Sequence, residues 1–76
     1  MLGYIYFITN TVTGKKYIGE TINFKERKNK HLSYLRKDSH HSNKLQRAYN
    51  KYGEDNFEWS YEIYEIENET ELKIIE

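Results

Sequence analysis

The sequence predicts an α+β fold: a small three-stranded, mainly antiparallel sheet flanked by helices, in the order β-β-α-α-β-α. Three observations lead to it. Residues 4–9, 16–20 and 57–66 are rich in β-branched and aromatic side chains, as strands are. Two stretches with apolar residues at helical spacing separate the second strand from the third. A turn cluster from Asn10 to Gly14 joins the first two strands and so predicts a β-hairpin.

Two tyrosines stand out in this hairpin, Tyr6 in the first strand and Tyr17 in the second. We expect residue 6 to pair with residue 17, which places both rings on one face of the sheet. Ile5, Phe7 and Ile18 then point the opposite way, and we expect the core on that side. The alternative interpretation is an aromatic cross-strand pair that only stabilises the hairpin.

A first helix is predicted from about residue 24 to 36, because Asn23 and Glu26 form a capping box. Arg27 and His31 stand four positions apart on it and therefore share a side of the helix. They flank the apolar stripe and can point into a cleft beside the sheet, although a solvated helix edge is the alternative. The core side of this helix carries Phe24, Leu32 and Leu35.

A second helix follows the polar loop 37–41, which contains His40 and His41. Ser42 can cap this helix, and Gly53 is a good C-terminal stop after Lys51. Its apolar positions are Leu45, Ala48, Tyr49 and Tyr52.

The third strand is predicted from Phe57 to Ile66, with one face exposed to solvent. A last helix can begin at 68–70 and carries Leu72, Ile75 and Glu76. Glu76 borders the apolar side of that helix, where a carboxylate needs a partner or an ion to offset its desolvation. The alternative is a plain surface residue in an acidic tail.

Composition narrows the class of protein. We expect the 76 residues to form one domain with a thin core, since small domains bury a modest share of their surface. The absence of cysteine excludes disulfides and cysteine-type zinc sites. No apolar run approaches the length of a membrane span and no signal peptide is visible, so we expect an intracellular, cytoplasmic protein without a membrane partner.

The net charge of zero conceals a strong asymmetry. Residues 1–52 hold eleven Lys and Arg against three Asp and Glu, a balance of +8, whereas residues 53–76 carry −8. A basic region interleaved with tyrosines is typical of nucleic-acid binding. Segregated charges on a solvated surface are the alternative.

Taken together, these residues are similar to a known pattern. The order Tyr4-Ile5-Tyr6, Tyr17-Ile18-Gly19, Arg27, His31, His40 and Glu76 resembles the GIY-YIG nuclease family over nearly the whole chain. The segment 44–53 is also similar to a recurrent stretch of that family, and it favours His40 over His41 as the family position. The resemblance implies metal-dependent hydrolysis of a DNA phosphodiester bond.

The same resemblance implies a role for each residue. Arg27 would neutralise phosphate oxygens, and Glu76 would bind one divalent metal, Mg²⁺ with Mn²⁺ as a substitute. Tyr6, Tyr17 and His31 would relay protons or orient the attacking water. Which tyrosine is the general base is left open, and we favour Tyr6 assisted by His31.

The chain departs from the family pattern at both ends. Tyr4 stands where the family has glycine, with Gly3 one place earlier, which changes strand packing more than chemistry. The helix of Glu76 has no continuation and the family's downstream polar residue, often Asn, has no counterpart. We therefore expect the domain, residues 1–76, to be truncated at its C-terminus.

Double-stranded DNA is the expected partner, bound through phosphate contacts that carry no sequence information directly. The resemblance also implies a separate DNA-binding region in the full-length protein. Charge alone suggests five phosphate-binding residues: Lys15, Lys16, Arg36, Lys44 and Arg47. Two alternatives stay open, a non-catalytic nucleic-acid-binding module of the same fold and a small structural protein whose tyrosines only build the sheet.

Overall fold

The computed structural model describes residues 1–68 and 70 and confirms the predicted α+β class. The part of the predicted last helix that carries Leu72, Ile75 and Glu76 lies outside the described residues. A short 3₁₀ helix, Glu54–Asn56, was not predicted. The other elements are β1 (Leu2–Asn10), β2 (Lys16–Thr21), α1 (Phe24–Arg36), α2 (Asn43–Tyr52) and β3 (Phe57–Glu65).

The three strands form an antiparallel sheet in the order β2-β1-β3. The first strand is therefore the central one and pairs along both of its edges. This position suits its sequence, because its Tyr-Ile-Tyr-Phe-Ile run is apolar on both faces, whereas β2 and β3 alternate with charged residues.

The hairpin register differs from the predicted one. Tyr6 lies opposite Gly19, and Tyr17 lies opposite Ile8. The predicted pairing of residues 6 and 17 was therefore wrong. Because the register is displaced by an even number of residues, Tyr6 and Tyr17 still share one face of the sheet, as expected. We call this side of the sheet, which carries Tyr6, Ile8 and Tyr17, the tyrosine face.

The turn explains the register. The side-chain oxygen of Asn10 accepts hydrogen bonds from the N–H groups of Val12 at 2.9 Å and Thr13 at 3.3 Å. Gly14 closes the turn with a φ of +77° and donates its N–H to the Asn10 carbonyl at 2.7 Å. The predicted register would have required a tight turn at Thr11 and Val12, where no glycine or asparagine is present to adopt positive φ.

The main core lies on the tyrosine face, which corrects the expectation that it would lie opposite. Tyr6 and Ile8 pack there against Leu35 of α1 and Leu45 of α2, because both helices cover this side of the sheet. Ile5 belongs to a smaller cluster on the other face, together with Ile66. Partly buried residues complete the two clusters: Tyr17, Phe24, Tyr49, Phe57 and Trp59 around the first, and Phe7 and Tyr64 around the second. Ile18, also assigned to the core by sequence, is half exposed.

Both helices begin at the predicted caps. The Asn23 side chain accepts the N–H of Glu26 at 3.1 Å, and the Ser42 hydroxyl accepts the N–H of Leu45 at 3.3 Å. The second helix ends at Gly53, which adopts a φ of +87°. These caps place the starts of the two helices that cover the tyrosine face.

Within the described part of the chain, none of the helices is long and apolar enough to cross a membrane.

Candidate active site

Three buried polar side chains form a hydrogen-bonded row on the tyrosine face. The Tyr6 hydroxyl lies 2.7 Å from Nε2 of His31, and Nδ1 of His31 lies 2.6 Å from Nε2 of His40. Tyr6, His31 and His40 are only 2%, 4% and 6% exposed. The structure thus brings together three residues that the sequence places in a strand, a helix and a loop.

Each member of the row is positioned by a different part of the fold. Tyr6 comes from the central strand, and His31 lies on the buried side of α1, one turn before Leu35. Sequence patterning had placed His31 at the edge of the apolar stripe, but the structure places it inside the core, facing the Tyr6 hydroxyl. His40 belongs to the loop between the two helices.

The loop that carries His40 is held by two interactions. The His40 backbone N–H donates to Oε1 of Gln46 at 3.1 Å, and the Ser42 backbone N–H donates to Nδ1 of His40 at 3.0 Å. Gln46 is 7% exposed and was missed as a site residue. The signal that could have identified it is a polar side chain at core spacing, beside Leu45 and one turn before Tyr49 or Asn50.

Aromatic rings enclose the row. Tyr17 lies edge-on to both imidazoles, with ring centroids 5.7 Å from His31 and 6.3 Å from His40. The ring centroids of His31 and His40 are 4.9 Å apart and their planes differ by 17°, so the two imidazoles lie edge to edge, as their hydrogen bond requires. The exposed ring of His41 stacks on His40 with a centroid distance of 4.5 Å. The ring centroid of Trp59, in β3, lies 5.8 Å from that of His31. The walls of the site are therefore largely apolar, which strengthens hydrogen bonds inside it.

Gly19 provides the space in which the Tyr6 ring lies. A Cβ atom at this position would overlap Cζ and the hydroxyl oxygen of Tyr6, which lies directly opposite in the sheet. Any side chain here would push the phenol away from His31. The glycine of the Tyr-Ile-Gly segment is therefore required by close approach of a side chain rather than by an unusual backbone angle.

Burial keeps both imidazoles neutral. It lowers the pKa of His31 from its ordinary 6.5 to about 4, with smaller contributions from neighbouring His40, Arg27 and His41. Burial, followed by the neighbouring His41, also lowers the pKa of His40. The row is therefore an uncharged hydrogen-bonded chain at neutral pH.

Arg27 supplies a positive charge beside this neutral row. It is exposed on α1, one turn before His31, and its charge contributes to the lowered pKa of that imidazole. No carboxylate among residues 1–68 and 70 forms an ion pair with Arg27. Its guanidinium can therefore bind an anion at the edge of the site.

A metal ion would have to be held mainly by oxygen atoms. Both ring nitrogens of His31 and of His40 take part in hydrogen bonds, so neither imidazole offers a lone pair to a metal. The described portion of the chain contains no group of three or more His, Asp or Glu side chains suited to a metal. Glu76, the predicted metal ligand, lies outside the described residues.

The five predicted phosphate-binding residues differ in their surroundings. Lys15, Lys44 and Arg47 are exposed. Lys16 projects from the sheet face opposite the row, with its Nζ 5.7 Å from the centre of the Phe7 ring. The Arg36 guanidinium is occupied by Glu54, through Nε at 2.8 Å and Nη2 at 3.1 Å. Their roles in DNA binding stay predictions.

Gly19→Ala should destabilise the protein by about 1–3 kcal/mol, although alanine favours strands more than glycine does. The cause is the overlap with the Tyr6 ring, and urea unfolding measures the loss. In a Tyr6→Leu background the same substitution should cost much less, since leucine has no atoms at the Cζ and hydroxyl positions. Equal costs in both backgrounds would contradict the proposed contact.

Stability should fall as the pH is lowered from about 6.5 towards 4. The unfolded chain binds a proton at His31 near pH 6.5, whereas the folded protein resists protonation until about pH 4, so acid favours unfolding. We expect a loss of about 1–3 kcal/mol over this range, the lower figure allowing for solvent screening. Urea unfolding at a series of pH values measures it.

The matched control for this pH dependence is the pair His31→Gln and His41→Gln. Removing the buried His31 imidazole should reduce the dependence between pH 7.5 and 5, where carboxylates stay largely ionised, and leave the share that comes from buried His40. Removing the exposed one should preserve most of it. A wild-type stability that does not change over this interval would refute the assignment of a buried, neutral His31.

Comparison with known proteins agrees with this geometry. The family model described as the GIY-YIG catalytic domain matches residues 2–76. Intron-associated endonuclease 1 of Enterobacteria phage T4 is 45% identical over 49 residues, or 64% of this chain. That alignment spans only 20% of the phage protein, so the chain corresponds to a small part of this relative.

Two solved structures are similar in fold as well as in sequence. The catalytic domain of homing endonuclease I-TevI superposes with a TM-score of 0.83 at 36% identity, covering 93% of this chain and 76% of that one. An alanine variant of the catalytic domain of intron endonuclease I-TevI gives a TM-score of 0.72 at 43% identity, covering 79% and 61%. The sheet, the two helices and the family match over residues 2–76 lead to one conclusion: this chain belongs to the GIY-YIG catalytic domain family.

Proposed function

We propose that this chain is an endonuclease domain that hydrolyses phosphodiester bonds of double-stranded DNA with the help of a divalent metal. The observation that carries the proposal is the 2.7 Å contact between the buried Tyr6 hydroxyl and His31, with Arg27 one turn away and without a carboxylate partner among the described residues. The family match and the names of the relatives, an intron-associated endonuclease and a homing endonuclease, support this reaction class.

In this proposal Tyr6 is the general base. Nucleophilic attack on phosphorus requires a water from which a proton is removed, and a phenol serves as a base only in its phenolate form. A neutral imidazole that donates a hydrogen bond to the Tyr6 oxygen favours that form. In this scheme Tyr6 first loses its hydroxyl proton to solvent. Its oxygen then accepts the proton of the attacking water as the water oxygen bonds to phosphorus and the bond from phosphorus to the leaving oxygen breaks. Tyr17, edge-on to both imidazoles, orients the row and helps to exclude water.

Arg27 is proposed to bind the phosphate that is cleaved. Charge builds up on the non-bridging oxygens as the water attacks, and a guanidinium can donate two parallel hydrogen bonds to them. Arg27 is exposed and has no carboxylate partner within residues 1–68 and 70, so phosphate binding breaks no ion pair there. Lys15, Lys44 and Arg47 are the exposed candidates for flanking phosphates.

The metal would be held by the carboxylate of Glu76 together with oxygen atoms of phosphate and water. A hard cation such as Mg²⁺ or Mn²⁺ prefers such ligands, and when bound it would supply neutralisation of phosphate charge and help for the leaving oxygen. This oxygen-only set fits the row, in which both imidazoles use their ring nitrogens for hydrogen bonds. In the full-length protein we propose that a separate region supplies DNA specificity, since the chain spans one fifth of its phage relative.

Arg27→Ala should reduce the rate of plasmid nicking by about 10²-fold to 10³-fold, the usual cost of losing a group that stabilises charge in the transition state. Arg27→Lys should nick at an intermediate rate, because lysine keeps the positive charge but lacks the two parallel N–H donors of a guanidinium. Lys25→Ala is the matched control, a cation on the same helix that points away from Arg27. Nicking is measured at low salt with Mg²⁺ or Mn²⁺, and EDTA should abolish it.

The outcome of this assay also separates the two candidate functions. A non-catalytic nucleic-acid-binding module is favoured by one observation, the lack of a three-ligand metal group in the part of the chain that the structure describes. Such a module would bind DNA with a steep salt dependence but show no metal-dependent nicking. Glu76→Ala would then leave binding and every other property unchanged, whereas the nuclease should lose nicking and retain binding.

Tyr6→Phe should abolish nicking far more completely than Tyr17→Phe. The first substitution removes the proposed base and leaves the buried Nε2 of His31 without its partner, whereas the second removes a hydroxyl at the wall of the site. Single-turnover cleavage measures both rates, with circular dichroism to verify folding. A Tyr17→Phe variant that loses as much activity as Tyr6→Phe would overturn the assignment of Tyr6 as the base.

A further inference from the structure

We propose that the loop of residues 39–42 fixes the proton positions along the row, so that Tyr6 accepts a hydrogen bond from His31 and never donates to it. The backbone N–H of Ser42 is the anchor of this arrangement, and Gln46 holds the loop in place. The catalytic meaning of the inference rests on the proposed function, but the proton positions themselves do not.

The direction of the row follows from its last member. A backbone N–H can only donate, so Nδ1 of His40, 3.0 Å from the Ser42 nitrogen, must present its lone pair. Neutral His40 therefore carries its proton on Nε2. That nitrogen lies 2.6 Å from Nδ1 of His31 and donates to it.

The same logic determines the state of His31. Because its Nδ1 accepts from His40, neutral His31 carries its proton on Nε2, which donates to the Tyr6 oxygen at 2.7 Å. Three donors thus point in one direction, from Ser42 through two imidazoles to the phenol. Each hydrogen bond in this chain polarises the next.

The row cannot reverse without leaving two donors face to face. If Tyr6 donated to His31, both imidazoles would shift their protons, and the Nδ1–H of His40 would meet the N–H of Ser42. Charging either imidazole creates the same conflict, and burial already lowers the pKa of both rings. His31 therefore does not remove the proton of Tyr6, and in the proposed reaction it keeps its own proton while the water proton goes to the Tyr6 oxygen.

The anchor is itself built into the second helix. The Ser42 hydroxyl caps α2 through the N–H of Leu45, so the start of this helix determines where the Ser42 N–H points. Gln46, one turn later, accepts the His40 N–H and donates at 3.0 Å to both the Leu35 carbonyl and Oδ1 of Asn50. The amide oxygen of Gln46 thus holds the loop, and its two donated hydrogen bonds fix the orientation of that amide between the helices. His40 and Gln46 are therefore positioning residues.

The direct test is the protonation state of each imidazole, read by long-range ¹H–¹⁵N NMR of the whole chain at pH 7.5 with labelled histidine. We expect His31 and His40 both to be protonated on Nε2 and unprotonated on Nδ1. A proton on Nδ1 of either ring overturns the proposal. The measurement needs neither DNA nor metal, so a failed nuclease assay and a failed inference are distinguishable.

Two substitutions at the anchor test its role. Ser42→Ala removes the helix cap but keeps the backbone N–H, whereas Ser42→Pro removes both. We expect the His40 tautomer to be unchanged in the first variant and to become a mixture in the second. An unchanged tautomer in folded Ser42→Pro would overturn the role of the anchor. If this variant does not fold, the wild-type tautomers alone decide.

Discussion

The buried hydroxyl of Tyr6 is the constraint on which the rest of the structure depends. The hydroxyl of a tyrosine that is only 2% exposed must form a hydrogen bond within the protein, and it does so with His31. The imidazole must then be buried too, which requires a partner for its second nitrogen and brings His40 into the core. Each buried side chain requires a further hydrogen-bond partner. The series of hydrogen bonds ends at the Ser42 backbone N–H, a group that the start of a helix leaves available.

The fold supplies what this series of contacts requires. A central strand holds the phenol, a glycine on the neighbouring strand leaves room for it, and two capped helices bring the histidines over the same face. The same residues thus fill the core and provide hydrogen-bond partners for its buried polar groups. The neutral row lies beside an exposed cation, Arg27, and this combination of a polarised phenol with an anion-binding group is the basis of the proposed hydrolysis.

Much of this arrangement could be predicted from sequence because it depends on local chemistry. The caps at Asn23 and Ser42, the stop at Gly53 and the shared face of Tyr6 and Tyr17 all follow from residue type and spacing. The hairpin register depended on the side chain of Asn10, which builds a longer turn than a simple pairing suggests. The core position of Gln46 could be recognised from its spacing, but its partner could not, and neither could the burial of His31. A polar residue at a core position shows its function only when its partner is known.

The position of Tyr6 in the central strand has a consequence for dynamics. This strand pairs on both edges, β2 on one side and β3 on the other, so it cannot fray or detach while the sheet persists. Moving Tyr6 out of the row by detaching its strand therefore costs nearly the full free energy of global unfolding, rather than that of opening a loop. The hydrogen-bonded row and the native state share a single cooperative unit, and every loss of stability, wherever it arises, lowers the population of molecules in which the row is intact.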